Sequence, residues 1–188
     1  VIENATRAWD MAFYSLPLQP GDVVLTSSTE YAGNYIPYLQ MQQQRGIKVR
    51  VIANDEHGQV SLPALKTLLE EERVALISLP VIATNGGPVQ PIEQIGALAR
   101  AAGVLFLLDA CQAVGQMPID VHKIGCHMLA ATSRMYLRGP RGMGFLYVER
   151  SLCQNLEPVF LDLHAASLQT SNTYMIRADA RRFENWEC

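Results

Sequence analysis

Apolar residues in this chain fall into short runs that alternate between helical spacing and unbroken stretches. Residues 5–16 (ATRAWDMAFYSL) carry apolar side chains at helical spacing and run into the turn residues Pro17, Pro20 and Gly21. Residues 23–26 read as a short buried strand, 35–45 as a helix stopped by Gly46, and 49–52 as a second, β-branched strand. Turn chemistry follows at 54–58. Ser61 then caps a helix that carries Pro63 in its first turn and extends to about residue 72. A strand at 74–79 precedes a loop rich in Gly and Pro (84–91) and an amphipathic helix at 92–102 that ends on Gly103. The run 104–108 (VLFLL) is apolar on both faces, as befits a strand in the middle of a sheet covered on both sides. Two further strands, 128–130 and 144–148, flank a Gly-rich turn. Repeated βα units with short loops predict an α/β fold with a mostly parallel, doubly wound sheet over residues 1–150. Residues 151–188 lack this regularity and read as a partial connection toward a further element.

Composition narrows the function classes. The chain has 188 residues, 49% of them hydrophobic and 18% charged, which suits one well-filled α/β domain with little disorder. Net charge is −3 and no block of Lys or Arg occurs, which argues against nucleic acid and anionic membranes as partners. No apolar run approaches the ~20 residues of a membrane span, and no signal peptide is visible. Cys111, Cys126, Cys153 and Cys188 are far apart and form no CxxC pair, and a histidine stands next to only one of them, His127 after Cys126. That spacing predicts free thiols in a reducing cytoplasm and no metal site. The first residue is Val1 rather than Met, so an upstream portion is expected to be missing.

In an open parallel sheet, ligands bind at the carboxyl ends of the strands. Asp109 follows the apolar run 104–108, where its carboxylate needs a positive or hydrogen-bonding partner, or else caps the next turn through the amides of 110–112. Ala131-Thr132-Ser133-Arg134, followed by Leu137-Arg138-Gly139-Pro140-Arg141-Gly142-Met143-Gly144, offers hydroxyls, a guanidinium and exposed amides to a phosphate; the alternative is a solvated loop. Glu3-Asn4-Ala5-Thr6 opens the first helix, either as an anion site or simply with Asn4 as its cap.

Together these segments resemble one family. The stretch Leu107-Leu108-Asp109-Ala110-Cys111-Gln112-Ala113-Val114-Gly115, then Ile119-Asp120-Val121 and Ile124-Gly125-Cys126, resembles the class V aminotransferase and cysteine desulfurase-like pyridoxal-phosphate enzymes. The family pattern continues with a small or hydroxyl residue, Gly, His or Arg, the cofactor lysine, and a Leu/Gly-Pro-x-Gly-x-Gly-x-Leu-Tyr-Val run. Thr132-Ser133-Arg134-Met135-Tyr136-Leu137-Arg138-Gly139-Pro140-Arg141-Gly142-Met143-Gly144-Phe145-Leu146-Tyr147-Val148 is similar to it. The resemblance spans nearly the whole chain and implies the large domain of a fold type I transferase that binds pyridoxal 5'-phosphate, acts on an amino acid and forms a homodimer at full length. It implies that Asp109 pairs with the pyridine nitrogen and that Gln112 bonds the phenolic oxygen. Ala5, Thr6, Thr132 and Arg134 would hold the phosphate. Tyr31 stands where relatives often stack a histidine on the ring, and Thr84-Asn85-Gly86-Gly87 matches the loop facing substrate, with either Thr84 or Asn85 doing that work.

Two departures qualify these expectations. Met135 occupies the place of the lysine that tethers the cofactor and moves the α-proton; a thioether does neither. Lys48, Lys66 and Lys123 match no site motif. The domain is therefore expected to be inactive as written and to bind cofactor non-covalently if at all, the alternative being a catalytically silent dimerisation or binding module that keeps the fold. The family is also longer, with a small C-terminal domain, so the chain reads as truncated. Cys188 is expected to be a terminal remnant and not a nucleophile.

Overall fold

The computed structural model describes residues 1–186. Its six-stranded sheet has the order β2-β1-β3-β4-β5-β6, formed by β1 (Val23–Thr26), β2 (Lys48–Val51), β3 (Val74–Pro80), β4 (Leu105–Asp109), β5 (Met128–Thr132) and β6 (Gly144–Val148). Strands β1 to β5 pair in parallel, and β6 alone runs antiparallel, against β5. Every residue of β5 is buried, and the interior of β4 is buried too, because alternate side chains enter two different cores. Leu25, Ile77, Phe106, Leu108 and Leu129 face one core with helices α3 (Leu62–Glu71) and α4 (Ile92–Ala102). Val24, Leu76, Leu107, Met128 and Ala130 face the other, with α1 (Ala5–Tyr14) and α2 (Ala32–Arg45). This is the doubly wound arrangement that the two-faced apolar strands predicted.

Helix boundaries agree with the sequence reading where capping chemistry marks them. Ser61 Oγ accepts from the Ala64 amide at the start of α3, and Gly103 closes α4 in the left-handed conformation. The second helix differs, starting at Ala32 rather than at residue 35. Asn34 has its side-chain amide committed to two carboxylates, Glu30 four residues back and the distant Asp109, so it does not compete for local backbone groups. Strand β4 also shifts by one residue from the 104–108 run. Asp109 is the last residue of β4 rather than the first residue after it, and its carbonyl accepts from the Val81 amide.

Residues past 150 do form structure. A short helix α5 (Val121–Ile124) precedes β5, and α6 (Arg150–Cys153) follows β6. A hairpin of β7 (Ala166–Thr170) and β8 (Thr173–Ile176) then leads to a 3-10 turn, Ala180–Phe183. Arg182 anchors this segment from a buried position by donating to the carbonyls of Cys153, Leu156 and Arg177. Phe183 enters the core beneath α1, and Glu184 accepts from the amino group of Val1. Cys188 lies outside the described residues. Among the described residues, no helix is long and apolar enough to cross a membrane.

Candidate active site

The sheet reverses its winding between β1 and β3: the chain passes outward from β1 to β2, then returns to the other side of β1. Loops leaving the carboxyl ends of the strands diverge at such a point and leave a crevice. A cavity of about 550 Å³ opens there. Its lining contains Ala5, Thr6, Tyr31, Thr84, Asp109, Gln112, Thr132, Arg134 and Met135, together with Asn4, Arg7, Asn34 and Cys111. All nine sequence-predicted positions thus meet around one space, although they span 131 positions of chain, from residue 5 to residue 135. Of the two candidates in the loop after β3, Thr84 reaches the cavity lining and Asn85 does not. None of Lys48, Lys66 and Lys123 lines it; each is exposed, and Lys123 is paired with Glu93 at 2.8 Å. A larger cavity, about 810 Å³, lies between α1, α2 and residues 155–160 and contains none of the nine.

Two close backbone approaches build the walls. A Cβ on Gly144 would lie 2.6 Å from the carbonyl carbon of Asn4 and 2.9 Å from the Ala5 nitrogen, so only glycine lets β6 press against the start of α1. The Ile2 and Gly144 backbones exchange two hydrogen bonds at the same place. Asn4 Oδ1 caps the helix by accepting from the Arg7 amide, which leaves the Ala5 and Thr6 amides without a protein partner among the described residues. On the opposite wall, Gly115 (φ 88°) meets the loop carrying Met135: a Cβ there would come within 2.5 Å of the Tyr136 carbonyl oxygen. Hydrogen bonds from the Ser133 amide to the Met143 carbonyl and from the Gly139 amide to the Ser133 carbonyl close that loop. Met135 is held half-buried at the cavity, where the Arg134 guanidinium touches its sulfur at 3.5 Å.

At the floor, Asp109 combines both roles open from sequence. Its Oδ1 caps the following turn by accepting from the Cys111 amide at 2.9 Å, and its Oδ2 accepts from Asn34 Nδ2, also at 2.9 Å. Asn34 also donates to Glu30 Oε1 at 3.1 Å, so it bridges two carboxyl groups. Sequence reasoning missed Glu30 and Asn34 as parts of the site. They flank Tyr31 in the same short segment, but nothing local signals that their side chains turn inward. Glu30 is half-buried as a residue, while its carboxyl group ends among interior side chains. Burial there pushes it up to about 7, against hydrogen bonds from Thr26, Asn34 and the Tyr31 amide that favour the charged form.

This displacement has a consequence for stability. Below about 4.5 Glu30 is protonated both folded and unfolded, so it contributes no pH dependence. As pH rises from there to about 7, the unfolded chain releases the proton first, and the fold loses at most about 3 kcal/mol through this group. The Glu30→Gln variant should therefore lack that part of the decline when denaturant midpoints are compared at pH 5 and 8. Identical declines in both proteins would place Glu30 in an ordinary, solvated setting.

The described cysteines are not activated thiols. Cys111, Cys126 and Cys153 are free, and burial raises each above the ordinary thiol range, Cys126 to about 12.

Comparisons with known proteins show the family and the fold. The model of the class-V aminotransferase family matches residues 1–185. A probable cysteine desulfurase from Methanothermobacter thermautotrophicus is 30% identical over 182 residues, covering 97% of this chain and 45% of that protein. Another, from Synechocystis, is 33% identical over 160 residues, covering 84% and 38%. Among solved structures, the apo cysteine desulfurase of Thermococcus onnurineus superimposes with a TM-score of 0.89 over 97% of this chain and 46% of that one. Its identity is 22%, so that likeness is one of fold. The chain spans less than half the length of the curated relatives it matches, 45% of the first and 38% of the second.

Proposed function

This chain belongs to the class-V aminotransferase family, and from that premise we propose that its cavity binds pyridoxal 5'-phosphate without a covalent tether, as the large domain of an amino-acid-converting lineage silenced at Met135. The observation that carries the reading is the gathering of Ala5, Thr6, Tyr31, Thr84, Asp109, Gln112, Thr132, Arg134 and Met135 around one crevice.

The residues present fit the group in all respects but one. The free amides of Ala5 and Thr6, the Thr132 hydroxyl and the Arg134 guanidinium supply donors and positive charge suited to a phosphate dianion. Asp109, steadied from two sides, offers a carboxylate to a protonated ring nitrogen, and Gln112 supplies an amide for the phenolic oxygen. Tyr31, 44% exposed at the cavity mouth, has a ring free to stack on the face of a bound aromatic. When bound, such a cofactor supplies an electron sink for a carbanion at the α-carbon of an amino acid. Met135 contributes no amine, and its thioether neither holds nor moves a proton. Tyr31 does not replace it, since a phenol does not exchange protons readily near neutrality as a histidine does.

A site without a tether should not prefer the aldehyde form of the cofactor. Pyridoxamine 5'-phosphate and pyridoxal 5'-phosphate are expected to bind within about tenfold of each other, a gap of about 1.4 kcal/mol, in competition by fluorescence. Asp109→Ala should weaken both. A strong preference for the aldehyde, lost on substituting one of the three lysines, would point to a tether elsewhere and contradict the reading.

The family's amino-acid chemistry and full-length homodimer support an ancestral role in aminotransfer or sulfur release. The silent-module alternative is favoured only if neither cofactor form binds.

A further inference from the structure

Behind Asp109 lies a group of polar side chains that the cofactor contacts do not use. Glu30 Oε1 accepts from Asn34 Nδ2 and, at 2.9 Å, from the Tyr31 amide. Its Oε2 accepts from Thr26 Oγ1 at 2.8 Å and from the Tyr38 hydroxyl at 3.0 Å. The same Tyr38 hydroxyl lies 2.8 Å from Ser78 Oγ. These groups come from three adjacent elements, β1, α2 and β3, and the Asn34 bridge joins them to the end of β4.

The arrangement accommodates Glu30 in two states. When Glu30 is ionised, its four acceptor positions are met by four donors. When it is protonated, Oε2 donates to the Tyr38 or Thr26 oxygen, and the Tyr38 O–H turns to Ser78 Oγ. In both states Asn34 keeps one amide hydrogen on Glu30 and the other on Asp109, so the bridge survives the change. Of the groups facing Glu30, only Asp109 and Tyr38 are titratable, among the described residues; Thr26, Ser78 and Asn34 are neutral.

We propose that Glu30 is a positioning residue for the ring-nitrogen contact: through Asn34 it fixes the Asp109 carboxylate, and it gives up its proton to solvent when a cationic ring binds. The inference rests on the cavity being a pyridoxal-phosphate site. With the site empty, burial and, as a smaller contribution, repulsion from the Asp109 carboxylate that shares the Asn34 amide raise Glu30 to about 7, so near neutrality it still holds part of a proton. A pyridinium against Asp109 offsets that repulsion, Glu30 ionises, and its charge adds to the attraction. Binding thus releases part of a proton, and the contribution of Glu30 to affinity appears only where Glu30 is able to ionise.

Two measurements separate this inference from the reading beneath it. In the cofactor-free chain, carbon-13 spectra of labelled glutamate carboxyls should show one group titrating near 7 that is absent from Glu30→Gln and shifted downward in Asp109→Asn. In fluorescence titrations with pyridoxamine 5'-phosphate, parent and Glu30→Gln should bind alike at pH 5.5, while at pH 8 the parent should bind about fivefold or more tightly. Glutamine keeps the shape and most of the bonds, so a purely structural role would leave the ratio independent of pH. A constant ratio, or a Glu30 signal unmoved by Asp109→Asn, overturns the proposal. Absence of cofactor binding at any pH would instead sink the proposed function, leaving the spectra to decide the Glu30–Asp109 coupling on its own.

Discussion

Met135→Lys is expected to turn a dialysable cofactor into a retained one. The methionine side chain lies at the cavity among the expected contacts, on a loop fixed by Gly115, Gly139 and the bond between Ser133 and Met143. Lysine is similar in length and unbranched, so the same backbone can deliver an amine to the same space. Exhaustive dialysis should strip the parent of pyridoxal 5'-phosphate and leave the variant with nearly one per chain. The amine also restores a proton carrier. Exchange of the α-hydrogen of an added amino acid in heavy water should therefore rise by ~10²–10⁴ over the parent. Retention without faster exchange would mean that the cavity lacks the substrate contacts that orient the α-carbon.

The second large effect concerns stability. Trp9 is 2% exposed, stacks on Phe13 at 4.9 Å and meets Tyr38 edge-on at 5.4 Å. Trp9→Ala should cost about 3–5 kcal/mol, through lost burial and the cavity left behind. That is a large part of the ~5–15 kcal/mol that holds a typical domain folded. Trp9→Phe should cost distinctly less than its change in volume suggests, because the indole Nε1–H is buried without a hydrogen-bond partner among the described residues and its removal relieves an unmet donor. Denaturant midpoints of the two variants provide the comparison. Equal losses would show that the indole nitrogen is satisfied in solution. Cofactor affinity should fall with stability in the Ala variant, since Trp9 holds down the helix whose first amides line the cavity.

Much of this was legible because the signals are local. The two-faced run before Asp109 announced a central strand, and the caps at Ser61, Gly46 and Gly103 marked helix ends that the structure reproduces. The expected cofactor contacts could be placed from motif order, and they converge because the carboxyl ends of β1, β3, β4 and β5 are neighbours in the sheet. What escaped was tertiary. Neither Asn34 nor Glu30 carries a local signal; Asn34 meets Asp109 only where α2 packs near the end of β4, and Glu30 turns inward onto Thr26 and Tyr38. Residues after 150 were illegible for a similar reason. Their order depends on Arg182 reaching three distant carbonyls and on Glu184 meeting Val1, contacts that carry no periodic pattern.

The central claim is that the cofactor crevice persists while the tether is gone. Its most direct test is an absorbance titration of the unaltered chain with pyridoxal 5'-phosphate, followed by borohydride treatment and a mass spectrum. The account predicts saturable, reversible binding that Asp109→Ala weakens, and a chain mass unchanged by the reductant apart from nonspecific labelling of exposed lysines. A stoichiometric adduct on one lysine would contradict the missing tether, and no saturable binding at all would contradict the surviving crevice.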